Sequence, residues 1–244
     1  MKNTSLIIIA LILLCTITTQ ISAVLAVSPG VSPGDEFNYD IRIFFTSDNQ
    51  SATISDQALA INSTDYFKVK ITEIEEVTVS YTTTWRFLNG TQIEGQGHVN
   101  LETGTRAGDF WTIFASNLNA GDRIRPTGFD RTTINYTISG NYGQGNPRQT
   151  NVIDITYTLI NEDDPNITGT EYSKTYFDRQ TGMLVEIEDM RVLSEPITTE
   201  TLKWKLKETH IWRITETNIP YTIILIIIVV GLLVAGLIVY KKRK

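Results

Sequence analysis

Cysteine is almost absent: the 244 residues contain one, Cys15, and it lies in an N-terminal apolar run expected to be removed. With no second thiol there is no disulfide framework, so the fold must rest on its core. Leu14 before Cys15 is too large for a lipobox, which argues against lipidation there. Histidine is nearly as scarce, with His98 and His210 far apart, and compact zinc-ligand spacing is missing. No metal and no cofactor is expected. Asn161-Glu162-Asp163-Asp164 offers oxygens but lacks the order of a calcium loop.

Positive charge is short across the middle of the chain. All 27 acidic residues lie within 35–216, alongside 16 of the 21 basic ones, leaving that stretch at −11 while the whole chain stands at −6. Such a surface repels phosphate backbones, and nucleic acid is not expected as a partner. Catalytic signatures are missing too: there is no G-x-S-x-G elbow, no P-loop and no dinucleotide fingerprint. Gly140, Gly143 and Gly145 sit in a loop between expected antiparallel strands, the wrong setting for a phosphate cradle. Glu186 and Glu188 share a strand face, the usual pattern of a solvated surface, and only convergence in a cleft would make such carboxylates acid–base groups.

Long apolar runs number two. Lys2, a run from Leu6 to Cys15 and the small residues Ala23 and Ala26 predict a signal peptide over 1–26. Residues 221–240 carry no charge and are long enough for a membrane span, with Tyr221 and Tyr240 at its interfaces and Lys241, Lys242, Arg243 and Lys244 following at once. That pattern predicts a single-pass cell-membrane protein, N-terminus outside and C-terminus cytoplasmic, anchored to the lipid bilayer. Gly231 and Ala235 form a small-residue pair suited to a weak homodimer.

Between these runs the period is two. A Val-Ser-Pro-Gly repeat over 27–34 is a turn-rich lead-in. Phe37, Tyr39, Ile41, Ile43 and Phe45 then alternate with more polar residues, apart from Phe44. Phe67, Val69 and Ile71 do the same, as do Val77, Val79, Tyr81, Thr83, Trp85 and Phe87. Asn89-Gly90 marks a hairpin into a strand over 92–101. Residues 52–61 fit a strand or a short helix. Phe110, Ile113, Phe114 and Leu118 fit a helical face, which predicts one helix over 109–119 packed on the sheet. Strands resume with Ile134, Tyr136 and Ile138 inward, then Ile153, Ile155, Tyr157 and Leu159. The Asp178-Arg179-Gln180-Thr181-Gly182 turn leads into another strand, and Leu202, Trp204, Leu206 and Trp212 share the last face.

These eight to ten strands predict a mainly β extracytoplasmic domain over 35–214, a large antiparallel meander curved into a half-barrel, with a linker over 215–220. A β-sandwich, or two domains meeting near 125–150, is the alternative. Five N-x-Ser/Thr acceptors, Asn49, Asn62, Asn89, Asn135 and Asn166, predict a cell-surface glycoprotein. Tyr81, Trp85, Trp204 and Trp212 are candidates to line a cavity for a lipid or other apolar ligand.

Three stretches carry a resemblance: Pro33-Gly34-Asp35-Glu36-Phe37-Asn38-Tyr39, Asn117-Leu118-Asn119-Ala120-Gly121-Asp122, and the run from Tyr176 through Thr181-Gly182 to Glu186. The chain resembles uncharacterised archaeal surface proteins that bear a signal peptide, a β-rich ectodomain and a C-terminal membrane anchor. The Asp-x-x-Thr-Gly hairpin is also faintly similar to one in curved-sheet lipoprotein carriers, which implies a concave sheet. The expectation is a membrane-anchored, non-catalytic binding module for an apolar ligand, glycan or envelope protein. The alternatives are a structural or adhesive cell-envelope protein and a hydrolase of unrecognised type.

Overall fold

The computed structural model describes residues 27–140, 147–160 and 168–212. Alternation builds most of it. In β1 (Glu36–Ser47) Phe37, Tyr39, Ile41 and Ile43 are buried, while Phe44 points to the opposite face and is exposed. A short helix, α1 (Asp56–Asn62), begins where the Ser55 hydroxyl accepts from the Ala58 amide at 3.1 Å. Then come β2 (Thr64–Glu75), β3 (Thr78–Phe87), β4 (Gln92–Asn100) and the two-residue β5 (Arg106–Ala107). After a long irregular stretch the chain forms β6 (Tyr136–Gly140), β7 (Arg148–Ile160), β8 (Thr168–Asp178), β9 (Leu184–Ser194) and β10 (Ile197–Thr209).

All ten strands join one antiparallel sheet in the order β5-β4-β3-β2-β1-β10-β9-β8-β7-β6. It is two five-stranded meanders running outward from a seam, where β1 pairs with β10 and Ile41 faces Trp204. The meanders end at opposite edges, so the segment 108–135 must cross the sheet to connect them. It crosses on the apolar face. Phe110, Ile113, Phe114, Leu118, Ile124 and Ile134 are thereby buried against the inward residues of the strands.

The antiparallel meander agrees with the alternation, but its shape and cover differ from expectation. The sheet is not rolled into a half-barrel, nor split into a sandwich or two domains. Its terminal strands β5 and β6, two and five residues long, are not bonded to each other. The expected helix over 109–119 is extended, irregular chain. Its groups bond elsewhere: Phe114 N donates to Gly182 O at 2.9 Å, Ser116 N to Ser28 O at 2.9 Å and Asn117 N to Arg179 O at 2.7 Å. Residues 112–116 are all buried, as happens when an extended segment is enclosed on both sides rather than wound with one face to solvent. Helix forms at 56–62 instead, where strand and helix were equally legible. Tyr136 and Ile138 are exposed rather than inward, because β6 uses the other parity and Thr137 faces the core.

The structure also corrects the expectation of a bilayer-anchored, single-pass membrane protein. No helix among the described residues is long and apolar enough to cross a membrane, and α1 has seven residues where a span needs about 20. Residues 1–26 and 221–244, on which the leader, the span, its Tyr221, Tyr240, Lys241, Lys242, Arg243 and Lys244 flanks and the Gly231–Ala235 pairing stood, lie outside the described residues, as does the acidic stretch 161–164. The structure gives bilayer anchoring, membrane localisation and the N-out topology no support.

Candidate functional site: a groove beside an open strand edge

The aromatic residues expected to line a cavity fill the core instead. Phe110 from the crossing segment stands among them, with ring centroids 5.9 Å from Tyr81 and 5.9 Å from Trp204. Phe67 lies 5.3 Å from Trp85 and 5.0 Å from Trp204. Two of the polar tips are bonded internally: the Tyr81 hydroxyl donates to Ala107 O at 3.2 Å and accepts from Phe110 N at 3.1 Å, and the Trp85 indole donates to Thr64 Oγ1 at 2.8 Å, while the indole nitrogens of Trp204 and Trp212 are buried without a hydrogen-bond partner. Trp212 is apart from this group, beneath the Arg148 guanidinium at 4.2 Å and 6.1 Å from Phe37. His210 is exposed and lies 3.3 Å from Asp35.

The crossing segment covers the sheet only part of the way along the strands. Beyond it a groove of about 570 Å³ opens. Trp111, Ile124 and Thr132 form its wall, and Ile155, Tyr157 and Leu159 of β7 form its floor. Glu171 and Ser173, opposite Tyr157 and Ile155 on β8, continue that floor. A second hollow of about 480 Å³ shares Trp111 and Asp130 and reaches Arg106 and Phe129, whose ring is wholly exposed. Here Arg106 stacks over Trp111 at 5.0 Å. The buried Arg125 donates to Trp111 O at 3.1 Å and lies over the Phe114 ring at 4.9 Å, and burial lowers its guanidinium pKa to about 10.

The charged residues near the floor are held in pairs. Arg191 donates to Glu171 at 3.1 Å, and Ser173 donates to Asp189 at 2.6 Å. Burial raises the Asp189 carboxyl, the Ser173 bond opposes this, and nearby Glu171 adds to the rise. Glu186 and Glu188 are on the opposite face, Glu188 taking Lys203 at 3.0 Å.

Of the glycan acceptors, Asn166 lies outside the described residues. Asn49 and Asn89 are exposed in turns, each accepting from the amide two residues on, Ser51 at 3.0 Å and Thr91 at 2.9 Å. Asn62 is committed to the fold: its nitrogen donates to Ile43 O at 2.8 Å and its oxygen accepts from Ile43 N at 2.7 Å. Exposed Asn135 accepts from Asp154 N at 2.8 Å, beside the groove.

The alternation places Tyr157 on an inward face, whereas its ring is half exposed at the groove, and no periodic pattern singles out Trp111 or Phe129. One signal was present: Trp111 falls off the face formed by Phe110, Ile113 and Phe114, so an aromatic ring there was bound to be partly exposed. No family model matches this chain, and no curated protein matches it.

Proposed function

We propose that this chain is a non-catalytic structural or adhesive module that meets its partners through the groove and the sheet edge beside it. The observation that carries the reading is the contrast between the two aromatic sets. Tyr81 and Trp204 pack against Phe110 and Trp85 against Phe67, whereas Trp111, Tyr157 and Phe129 are 39%, 48% and 101% exposed around the groove and the hollow that adjoins it at Trp111. Apolar surface gathered in this way marks contact with other macromolecules more often than small-ligand enclosure. The carboxylates of the floor, each held by a neighbouring side chain, suit a contact surface better than a hydrolytic pair.

Beads coated with the full chain test this directly. Clustering with one another, or retention on protein-coated glass, is expected, with loss when Trp111→Ser and Phe129→Ser are combined. Hydrolysis of chromogenic glycosides or esters that disappears in Glu171→Gln, together with no adhesion, would replace this reading with the hydrolase alternative.

A further inference from the structure

Strand β7 is 13 residues long, but its outer neighbour β6 pairs only with Arg148 through Val152. Asn135 then closes that ladder, donating its amide to Val152 O at 2.9 Å and accepting from Asp154 N with its side chain at 2.8 Å. In an antiparallel strand the backbone groups of every second residue point to the same side. Thr156, Thr158 and Ile160 therefore present their N–H and C=O groups along the edge that Val152 and Asp154 share, and no described residue pairs with them. Ile155, Tyr157 and Leu159 point theirs at β8, while their side chains floor the groove.

Exposed edges in monomers are ordinarily protected by charge, proline, bulges or short length. The opposite side of the sheet shows such protection: β4 carries Glu94 and the glycines Gly95 and Gly97, and β5 covers His98 and Val99. The β7 edge has none of it. Ile155-Thr156-Tyr157-Thr158-Leu159-Ile160 has no charge, no glycine and no proline, and every residue except Leu159 is β-branched or aromatic.

We propose that this edge is a homodimer interface, with β7 pairing antiparallel to β7 of a second copy across a two-fold axis at Tyr157. The proposal rests on the adhesive reading above and gives it a partner. Outward-pointing residues must face one another, which restricts the register to pairings of Thr156, Thr158 and Ile160 among themselves or with Asp154. Centring on Tyr157 sets that ring beside Tyr157 of the partner subunit, Ile155 beside Leu159 of the partner subunit, and Thr156 beside Thr158 of the partner subunit. Aromatic meets aromatic, aliphatic meets aliphatic and threonine meets threonine, the favourable classes of cross-strand pair. About four backbone hydrogen bonds form between the copies. A second copy is the occupant because the edge is self-complementary under a two-fold and no like charges come opposite each other in Ile155 through Leu159. Nearby Asp154 is already held by Lys174 at 3.3 Å. The second copy's Tyr157 and Leu159 also extend the floor beneath Trp111, completing a groove that one copy leaves open.

Disulfide trapping reads the register. In the full chain carrying Cys15→Ser, Tyr157→Cys should cross-link to its own counterpart under mild oxidation about tenfold faster than Thr158→Cys or Thr103→Cys, since only position 157 lies on the axis at disulfide spacing. Sedimentation of the parent should show a concentration-dependent species of twice the chain mass. Thr158→Pro, which removes an N–H that β8 does not use, should weaken dimerisation at least about tenfold while leaving the circular dichroism of the fold intact. Thr156→Lys provides the same test without proline. A parent that stays monomeric up to the order of 100 µM, or equal cross-linking at positions 157 and 103, overturns the proposal. So does an edge that takes only a foreign strand. If coated beads still adhere in either case, the adhesive reading stands and only the homodimer fails.

Discussion

Single residues with several bonds hold the irregular parts of this molecule. Asp178, almost fully buried, takes the Arg148 guanidinium through two contacts of 2.7 and 2.9 Å and accepts from Thr181 N and Oγ1, both at 2.9 Å. It fastens the β8–β9 turn to the start of β7. Asp178→Ala should cost about 3 kcal/mol, because the arginine and the Thr181 amide lose their acceptor together; urea unfolding with an unchanged slope measures this. Asp189 should behave oppositely. Burial raises its carboxyl in the folded state, so the folded protein binds a proton more tightly than the unfolded chain does. The resulting contribution to stability is present below the ordinary carboxylate range and lost as pH rises through the raised value. Asp189→Asn should therefore stabilise the protein at pH 7 by less than about 1 kcal/mol, given partial solvent screening, and have no stabilising effect near pH 3. Thermal melts at the two pH values decide it.

At the scale of elements, the strands were legible because a half-buried strand writes its register into the residue pattern. Phe67, Val69 and Ile71 on β2, and Val79 and Tyr81 on β3, are buried as their alternation requires. The crossing segment was not legible. Phe110, Ile113, Phe114 and Leu118 have helical spacing, yet bonds to the 179–182 turn and to Ser28 hold the backbone extended, and no local pattern encodes a partner so distant in sequence. Gly182 at φ +71° permits that contact: a Cβ there would run into the Phe114 carbonyl. The groove escaped notice for the same reason, since its wall and floor come from segments that only the crossing brings together. If Phe110 is the plug of the aromatic core, Phe110→Ala should lose about 3–5 kcal/mol and open a cavity among Tyr81, Phe67 and Trp204. Calorimetry gives the loss, and xenon or benzene binding reports the cavity.

For the whole molecule, topology determines what is covered and what is left open. Two meanders that end at opposite edges require a connection across one face, so a single sheet acquires most of its core without a second sheet. The other face carries ion pairs such as Lys70–Glu36 at 3.1 Å and Lys174–Asp154 at 3.3 Å. No alternation in the sequence distinguishes this arrangement from a half-barrel. That distinction lies in how the sheet curves from β5 to β6, and edge strands of two and five residues leave little periodic signal.

The seam between β1 and β10 has a consequence in time. A ribosome releases Ile41 long before Trp204, its partner across the seam. The first meander must wait with an unpaired side of β1 until the last described strand is made, and closing so long a loop is slow. Refolding should be limited by docking of β10, and a chain stopped after Ser194 should aggregate or bind chaperones rather than fold. Pulse-labelled hydrogen exchange should find the β1 amides protected no earlier than those of β10.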